Sequence, residues 1–375
     1  MHIFNFGEFK KEKKKKKIKV GVLFRILTCF FVILFLILSP AFLFNRKIYK
    51  QDVNNFFANE TKTTILSLIH VETFEGAVSS REKFLERQAT LFNKENKGVY
   101  ITIKTLTLEQ FRENFKEGFC DIVSFGFGVG EIVKEHLLEL QKVNLRDDFL
   151  KTGENNGKLV AYPYSFGGYA AITKEKFLNG NTEVVFEDIG SIKIKDKNKK
   201  EYSFGFAKDT TTNIAEVLSV NNITTSNNLF YENNLSTYKM YENFLGEKFA
   251  TLIGTTRDVV RCKDREMKGS LSPCVYNFLG GFTDLVQYIG ITTKHFLKEV
   301  VARKFLNFIM ESKAQQSLNK VGLFSPVCNE IYSDGYLKDF EKVLSKELIV
   351  PNAFLSTNDI DNMKKESFKK VVYVV

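Results

Sequence analysis

The chain has 375 residues, with 54 Lys and Arg against 44 Asp and Glu, no tryptophan, 37 phenylalanines and 14 tyrosines. Residues 1–50 hold twelve of the bases and two acids, Glu8 and Glu12, so in the rest of the chain 42 bases meet 42 acids and the formal charge of +10 belongs to the N-terminus. A neutral body has no surplus charge with which to release counterions from phosphates, which argues against a nucleic-acid partner.

The lysine run at 10–19 abuts an apolar stretch at 20–44. This order satisfies the positive-inside rule: residues 1–19 are expected as a cytoplasmic tail, with the mass of the chain beyond the membrane. Arg25 divides the stretch. Residues 26–38 have the length of a signal-peptide core, but Ser39-Pro40-Ala41 is a poor cleavage site; taken to Phe44, the run is nineteen residues, long enough to span a bilayer as an uncleaved anchor. Cys29 lacks the small residue expected before a lipid-modified cysteine and is expected as a plain membrane thiol. Residues 45–62 are polar and rich in asparagine, and read as a linker.

From residue 63 the pattern alternates. Residues 64–72 are β-branched and leucine-rich, as in a buried strand; Ser79 and Ser80 offer a cap for a helix with Leu85, Ala89 and Phe92 on one face; Val99, Ile101 and Ile103 alternate as a second strand. Thr107-Leu108-Glu109-Gln110 has the spacing of a capping box, and residues 120–125 supply a third short strand. This alternation predicts right-handed crossovers and a mostly parallel sheet, with ligand sites beyond the carboxyl ends of its strands, where Glu72, Phe74 and Phe125 fall. Gly126-Phe127-Gly128-Val129-Gly130 is spaced wrongly for dinucleotide binding and lacks a P-loop lysine, so it reads as a strand-to-helix loop.

Several phrases resemble extracellular solute-binding proteins of family 1, the carbohydrate-binding components of ATP-binding-cassette importers. They are residues 117–125, residues 157–163 continuing through 171–177, residues 302–309, and residues 315–327, in the order that the family shows. The resemblance spans 64–355. Cys120 stands where the family usually has proline, Ile172-Thr173 replaces a frequent Tyr-Asn pair, and tryptophan is absent, so the ligand is less defined than the fold. It implies an α/β, two-lobed periplasmic-binding-protein-like fold of type II. One lobe would comprise 63–165 with 283–322, and the other 166–282 with 323–375. The chain would cross near 164–168, 281–286 and 322–325, with Gly167, Gly168, Gly281 and Gly322 as hinge positions.

A sugar site needs flat apolar faces and fixed polar partners. Phe74, Phe125, Tyr164, Phe166 and Phe282 are the candidates for ring contact, each with a core position as the alternative. Glu72, Arg257, Asp258 and Asp284 are the polar candidates, against surface or hinge-stabilising roles. Asp121 reads as a structural acid tying backbone amides. The four histidines are scattered and no nucleophile or metal-ligand spacing occurs, so no catalytic residue, metal or cofactor is expected. Cys262 and Cys274, twelve positions apart, are a conceivable disulfide, whereas Cys120 and Cys328 look like buried free thiols. The expected partners are a small solute, importer permease subunits and the membrane. A sensory or ligand-free descendant of the fold, or a receptor for a cationic solute such as a polyamine, remains open.

Overall fold

The computed structural model describes Thr28 and residues 63–73, 81–178, 194–195, 201–202, 204–206, 213–223, 229–230 and 236–371. Chain packing divides the molecule into two compact units, Met1–Glu60 and Thr61–Val375. Apart from Thr28, the apolar stretch at 20–44 lies outside the described residues, as do the linker and Phe74. Among the described residues no helix is long and apolar enough to cross a membrane.

The second unit is built on two five-stranded sheets. Their strands are β1 Thr64–Glu72, β2 Val99–Thr107, β3 Ile122–Gly126, β4 Tyr162–Phe166, β5 Tyr169–Lys174, β6 Phe204–Gly205, β7 Leu229–Phe230, β8 Thr251–Thr255, β9 Cys274–Leu279 and β10 Val286–Ile291. The first sheet has the order β2-β1-β3-β10-β4 and the second β7-β6-β8-β5-β9. In the first, β1 runs parallel to β2 and β3, and β10 runs antiparallel to β3 and β4. The helices used below are α1 Arg81–Glu95, α2 Leu108–Asn114, α3 Ile214–Val220, α4 Thr237–Leu245, α5 Thr256–Met267, α6 Phe296–Met310, α7 Gly335–Leu344 and α8 Thr357–Val371.

Local chemistry accounts for the first sheet. Leu66, Leu68 and Val71 of β1 are fully buried, and only Ile65 and Glu72 at its ends are exposed, as expected of a strand covered on both faces. α1 places Phe84, Leu85, Gln88, Ala89 and Phe92 on one stripe, and Phe92 meets Phe305 and Phe308 of α6 at centroid distances of 5.2 and 5.5 Å. The capping box at Thr107 forms: the Gln110 amide donates to Thr107 Oγ1 at 3.3 Å and the Thr107 amide to Gln110 Oε1 at 3.1 Å. β3 starts two residues later than its apolar run. Cys120 and Asp121 are held instead by side bonds, Thr292 Oγ1 donating to the Cys120 carbonyl at 2.6 Å and the Asp121 amide to Ser67 O at 2.9 Å. Asp121 Oδ2 accepts from the Ser67 amide and from Lys298 Nζ, both at 2.9 Å, which is the structural part its position suggested. Residues 127–129 form a turn into a one-turn helix, Gly130–Val133.

The chain passes from the first sheet to the second through Gly167-Gly168, between β4 and β5, and back through 280–285, between β9 and β10. A third segment joins them: Phe324 and Phe166 exchange both backbone bonds, at 3.0 and 2.9 Å. The passes are tied to one another, the Gly167 amide donating to Leu285 O at 2.7 Å and Thr283 Oγ1 to Gly167 O at 2.8 Å. Gly281 sits at φ +79°, and a Cβ there would lie 2.4 Å from Val220 Cγ1, so conformation and space both require glycine. A second core gathers Tyr169, Phe206, Ile214, Leu218, Ile253, Phe282 and Val371 around β5, β8 and α3. Cys262 and Cys274 are buried free thiols with no bridge between them, and Cys120 and Cys328 are also free. Burial pushes the Cys120 thiol up to about 11 and Cys274 to about 12, so they behave as small apolar groups.

Candidate functional site

The carboxyl end of β1 lies within electrostatic reach of the first turn of α5. Glu72, the last residue of β1, is exposed and Thr73 half-buried; across from them Arg257 is half-buried in α5. Burial and neighbouring Arg261 lower the Arg257 pKa, while Asp258 and Glu72 oppose this, so the Glu72 carboxylate acts on Arg257 from the other sheet.

A buried polar cluster lies beneath Glu72. His70 Nδ1 is 3.1 Å from Ser124 Oγ, which is 3.0 Å from the Tyr164 hydroxyl and accepts from Gln287 Nε2 at 3.1 Å. Gln287 Oε1 in turn accepts a long bond from Thr73 Oγ1 at 3.5 Å. Burial, reinforced by Arg81, pushes the His70 imidazole down to about 3, so it is neutral at physiological pH. Arg81, 2% exposed at the start of α1, is pushed down to about 10 by burial, against the favourable fields of Tyr164 and Glu72. It therefore stays cationic. None of His70, Arg81, Ser124 and Gln287 stood out in the sequence. The available signal was a polar residue interrupting an apolar strand, as His70, Ser124 and Gln287 do in three neighbouring strands.

The structure separates the sequence candidates. Four of the five aromatic side chains proposed for ring contact are core residues here, because their faces are already covered. Phe125 lies against Tyr288 at 5.7 Å and Phe354 at 6.1 Å. Tyr164 stacks on Phe84 at 5.8 Å and interplanar 11°. Phe166 meets Phe149 and Phe324 at 4.8 and 5.7 Å. Phe282 sits in the second core and its backbone bridges to Ile349.

Two of the acids are likewise occupied. Asp258 Oδ2 accepts from the Thr255 amide at 2.9 Å and its hydroxyl at 3.2 Å, closing the capping box of α5, and burial raises its pKa. Asp284, in the return pass, accepts from the Tyr169 hydroxyl and the Asn213 amide, each at 2.5 Å. Burial outweighs both bonds and pushes Asp284 up to about 6. Glu72 and Arg257 are the two polar candidates that lie within electrostatic reach of one another. Among the described residues no group of three or more metal-ligating side chains occurs.

No protein-family model matches the chain, and no curated protein matches it by sequence. Solved structures do match by shape. The GacH receptor of Streptomyces glaucescens, solved unliganded and with acarbose, has a TM-score of 0.60 at 12% identity, covering 83% of this chain and 94% of that one. The ABC substrate-binding protein from Listeria monocytogenes solved with cycloalternan has a TM-score of 0.53 at 12% identity, again over 83% and 94%. The spermidine/putrescine ABC transporter substrate-binding protein of Streptococcus pneumoniae has 0.52 at 16%, over 82% of this chain and 100% of that one. The shared feature is the fold: a mixed α/β, periplasmic-binding-protein-like architecture over nearly the full length of each relative.

Proposed function

We propose that the protein is an extracytoplasmic solute receptor that captures a small polyhydroxylated molecule, a carbohydrate, between two lobes and delivers it to an ATP-binding-cassette importer. The observation that carries this reading is the pair of sheets joined by three tied passes, with Glu72 at the end of a strand of the first within electrostatic reach of Arg257 in α5. The lobes are 63–165 with 283–322 and 166–282 with 323–375, apart from residues 351–354, which pack on the first, and they close about Gly167, Gly168, Gly281 and Gly322. That arrangement is the type II form of the fold. Binding proteins of matching shape take acarbose and cycloalternan. The lysine-rich tail and apolar stretch at 20–44 support a membrane tether with the receptor outside the cytoplasm.

A polyamine receptor is the weaker reading. Arg257 is half-buried near Glu72 and Arg81 is buried beneath it, and two guanidinium groups there raise the cost of bringing a polycation in. The reaction is binding and release, with no covalent step.

The test is the thermal stability of the purified full chain against mono- and oligosaccharides, polyamines and amino acids. A ligand at 100 times its Kd adds about 2.7 kcal/mol. A shift with one saccharide class, lost in Glu72→Ala or Arg257→Ala, supports the reading. A shift with spermidine alone, or with no compound at all, overturns it.

A further inference from the structure

We infer that the C-terminal helix α8 is a latch between the lobes, and that its two hydrogen bonds to Glu131 are the part that breaks when they open. The inference rests on the two-lobe reading above and concerns residues other than Glu72 and Arg257.

After pairing with the return pass at Ile349, the chain does not stay on the second lobe. Residues 351–354 cross to the first. Asn352 Nδ2 donates to the carbonyls of Lys151 and Glu154 at 2.9 and 3.0 Å, the Ala353 amide to Thr152 O at 2.8 Å, and Phe354 lies beside Phe125. Gly130 fits there because a Cβ would stand 2.0 Å from the Ala353 carbonyl oxygen.

α8 then runs back. Its fifteen residues extend about 22 Å at 1.5 Å per residue. Its far end enters the second core, with Val371 fully buried and Phe368 against Phe206 at 6.4 Å. Ser367 Oγ donates to Glu216 Oε2 at 2.5 Å and accepts from Asn213 Nδ2 at 3.2 Å, locking α8 to α3.

One strand of the crossing is therefore anchored to the first lobe by buried groups and the other to the second lobe by buried groups. Relative motion of the lobes is taken up at the joint between them, 355–359, of which 357–359 are exposed. At that joint Glu131 Oε2, on the one-turn helix of the first lobe, accepts from the Thr357 amide at 2.8 Å and from Thr357 Oγ1 at 3.1 Å. Bonds to a carboxylate are stronger than neutral ones, and these two reach the start of a helix, where amides are unsatisfied and a negative charge is favoured. Rotation of α8 away from Glu131 breaks both together, which makes the contact two-state.

Two variants cut the latch from opposite sides. Glu131→Ala removes the acceptor. Thr357→Pro removes both donors yet suits the first position of a helix, whose cap at Ser356 persists through its own bond from the Asp359 amide at 3.1 Å. The readout is the separation between spin labels at Glu113→Cys on the first lobe and Met267→Cys on the second, by pulsed electron resonance on the ligand-free full chain in detergent, with single-label controls for the native thiols. Both variants are expected to raise the ratio of long to short separations about five- to tenfold. Two populations whose ratio neither variant moves would sink the latch and leave the receptor standing. A single separation in all three proteins overturns lobe motion itself, and the latch with it.

Discussion

The buried carboxyl of Asp284 offers a quantitative test of how the passes between the sheets are held. Its folded pKa of about 6 stands above the ordinary value of 3.8 because burial outweighs the bonds from Tyr169 and Asn213. A raised folded pKa means that the folded protein binds this proton more tightly than the unfolded chain. The stabilisation is complete below pH 3.8 and is lost as the pH rises through 6. At 1.36 kcal/mol per pKa unit the loss amounts to about 3 kcal/mol. Asp284→Asn keeps the shape and an acceptor oxygen while removing the titration. The assay is urea unfolding of wild type and variant from pH 4 to pH 8, taking the difference between the two proteins so that all other titrating groups cancel. The stability of the variant relative to wild type should rise by about 2.4 kcal/mol between pH 4 and pH 8, about 2 kcal/mol of it between pH 4 and 6, because at pH 4 the unfolded carboxyl is already largely ionised. A difference that stays level with pH would show that Asp284 is not desolvated in the folded protein.

His70 runs the other way. Its folded value of about 3 lies below the ordinary 6.5, so stability present above pH 6.5 is lost as the pH falls toward 3, by about 2 kcal/mol at pH 5. His70→Asn should flatten that acid limb in the same urea assay. Gly281→Ala forces both a left-handed backbone and a clash with Val220, and should cost more than about 2 kcal/mol, whereas Gly128→Ala, at φ +86° with open space around it, should cost about 1 kcal/mol; equal midpoints for the two would contradict the packing at Gly281. Phe282→Ala should remove about 3 to 5 kcal/mol of stability because its ring fills the second core, while Glu72→Ala should leave stability within about 0.5 kcal/mol and act on ligand binding. A wild-type melting temperature for Phe282→Ala would place that ring outside the core.

Much of the local structure was legible from short-range pattern. The boundaries of β1, the face of α1 and the capping box at Thr107 follow from residue type and spacing, since each is decided within a few positions along the chain. The glycines at 167, 168 and 281 mark the passes for the same reason: a close approach or a positive φ leaves its trace in the residue itself. Asp121 also followed from its place at a strand edge.

The ring candidates did not. Phe125, Tyr164, Phe166 and Phe282 lie at strand ends and passes, where ligand contact and core packing favour the same aromatic residues, and only the arrival of Tyr288, Phe84, Phe149 and the second core covers them. The cluster of His70, Ser124, Tyr164 and Gln287 joins residues up to 217 positions apart, and a polar residue interrupting an apolar strand does not tell which distant residue it will bond. Asp258 and Asp284 read alike as polar residues near a cleft; burial and the donors around them decided that one caps a helix and the other ties a pass. Sequence by itself determined the charged N-terminus, the neutral body and the order of strand and helix, because those depend on neighbours along the chain. Tertiary structure decided which side chains are left to meet a ligand, because that depends on which surfaces the fold has already used.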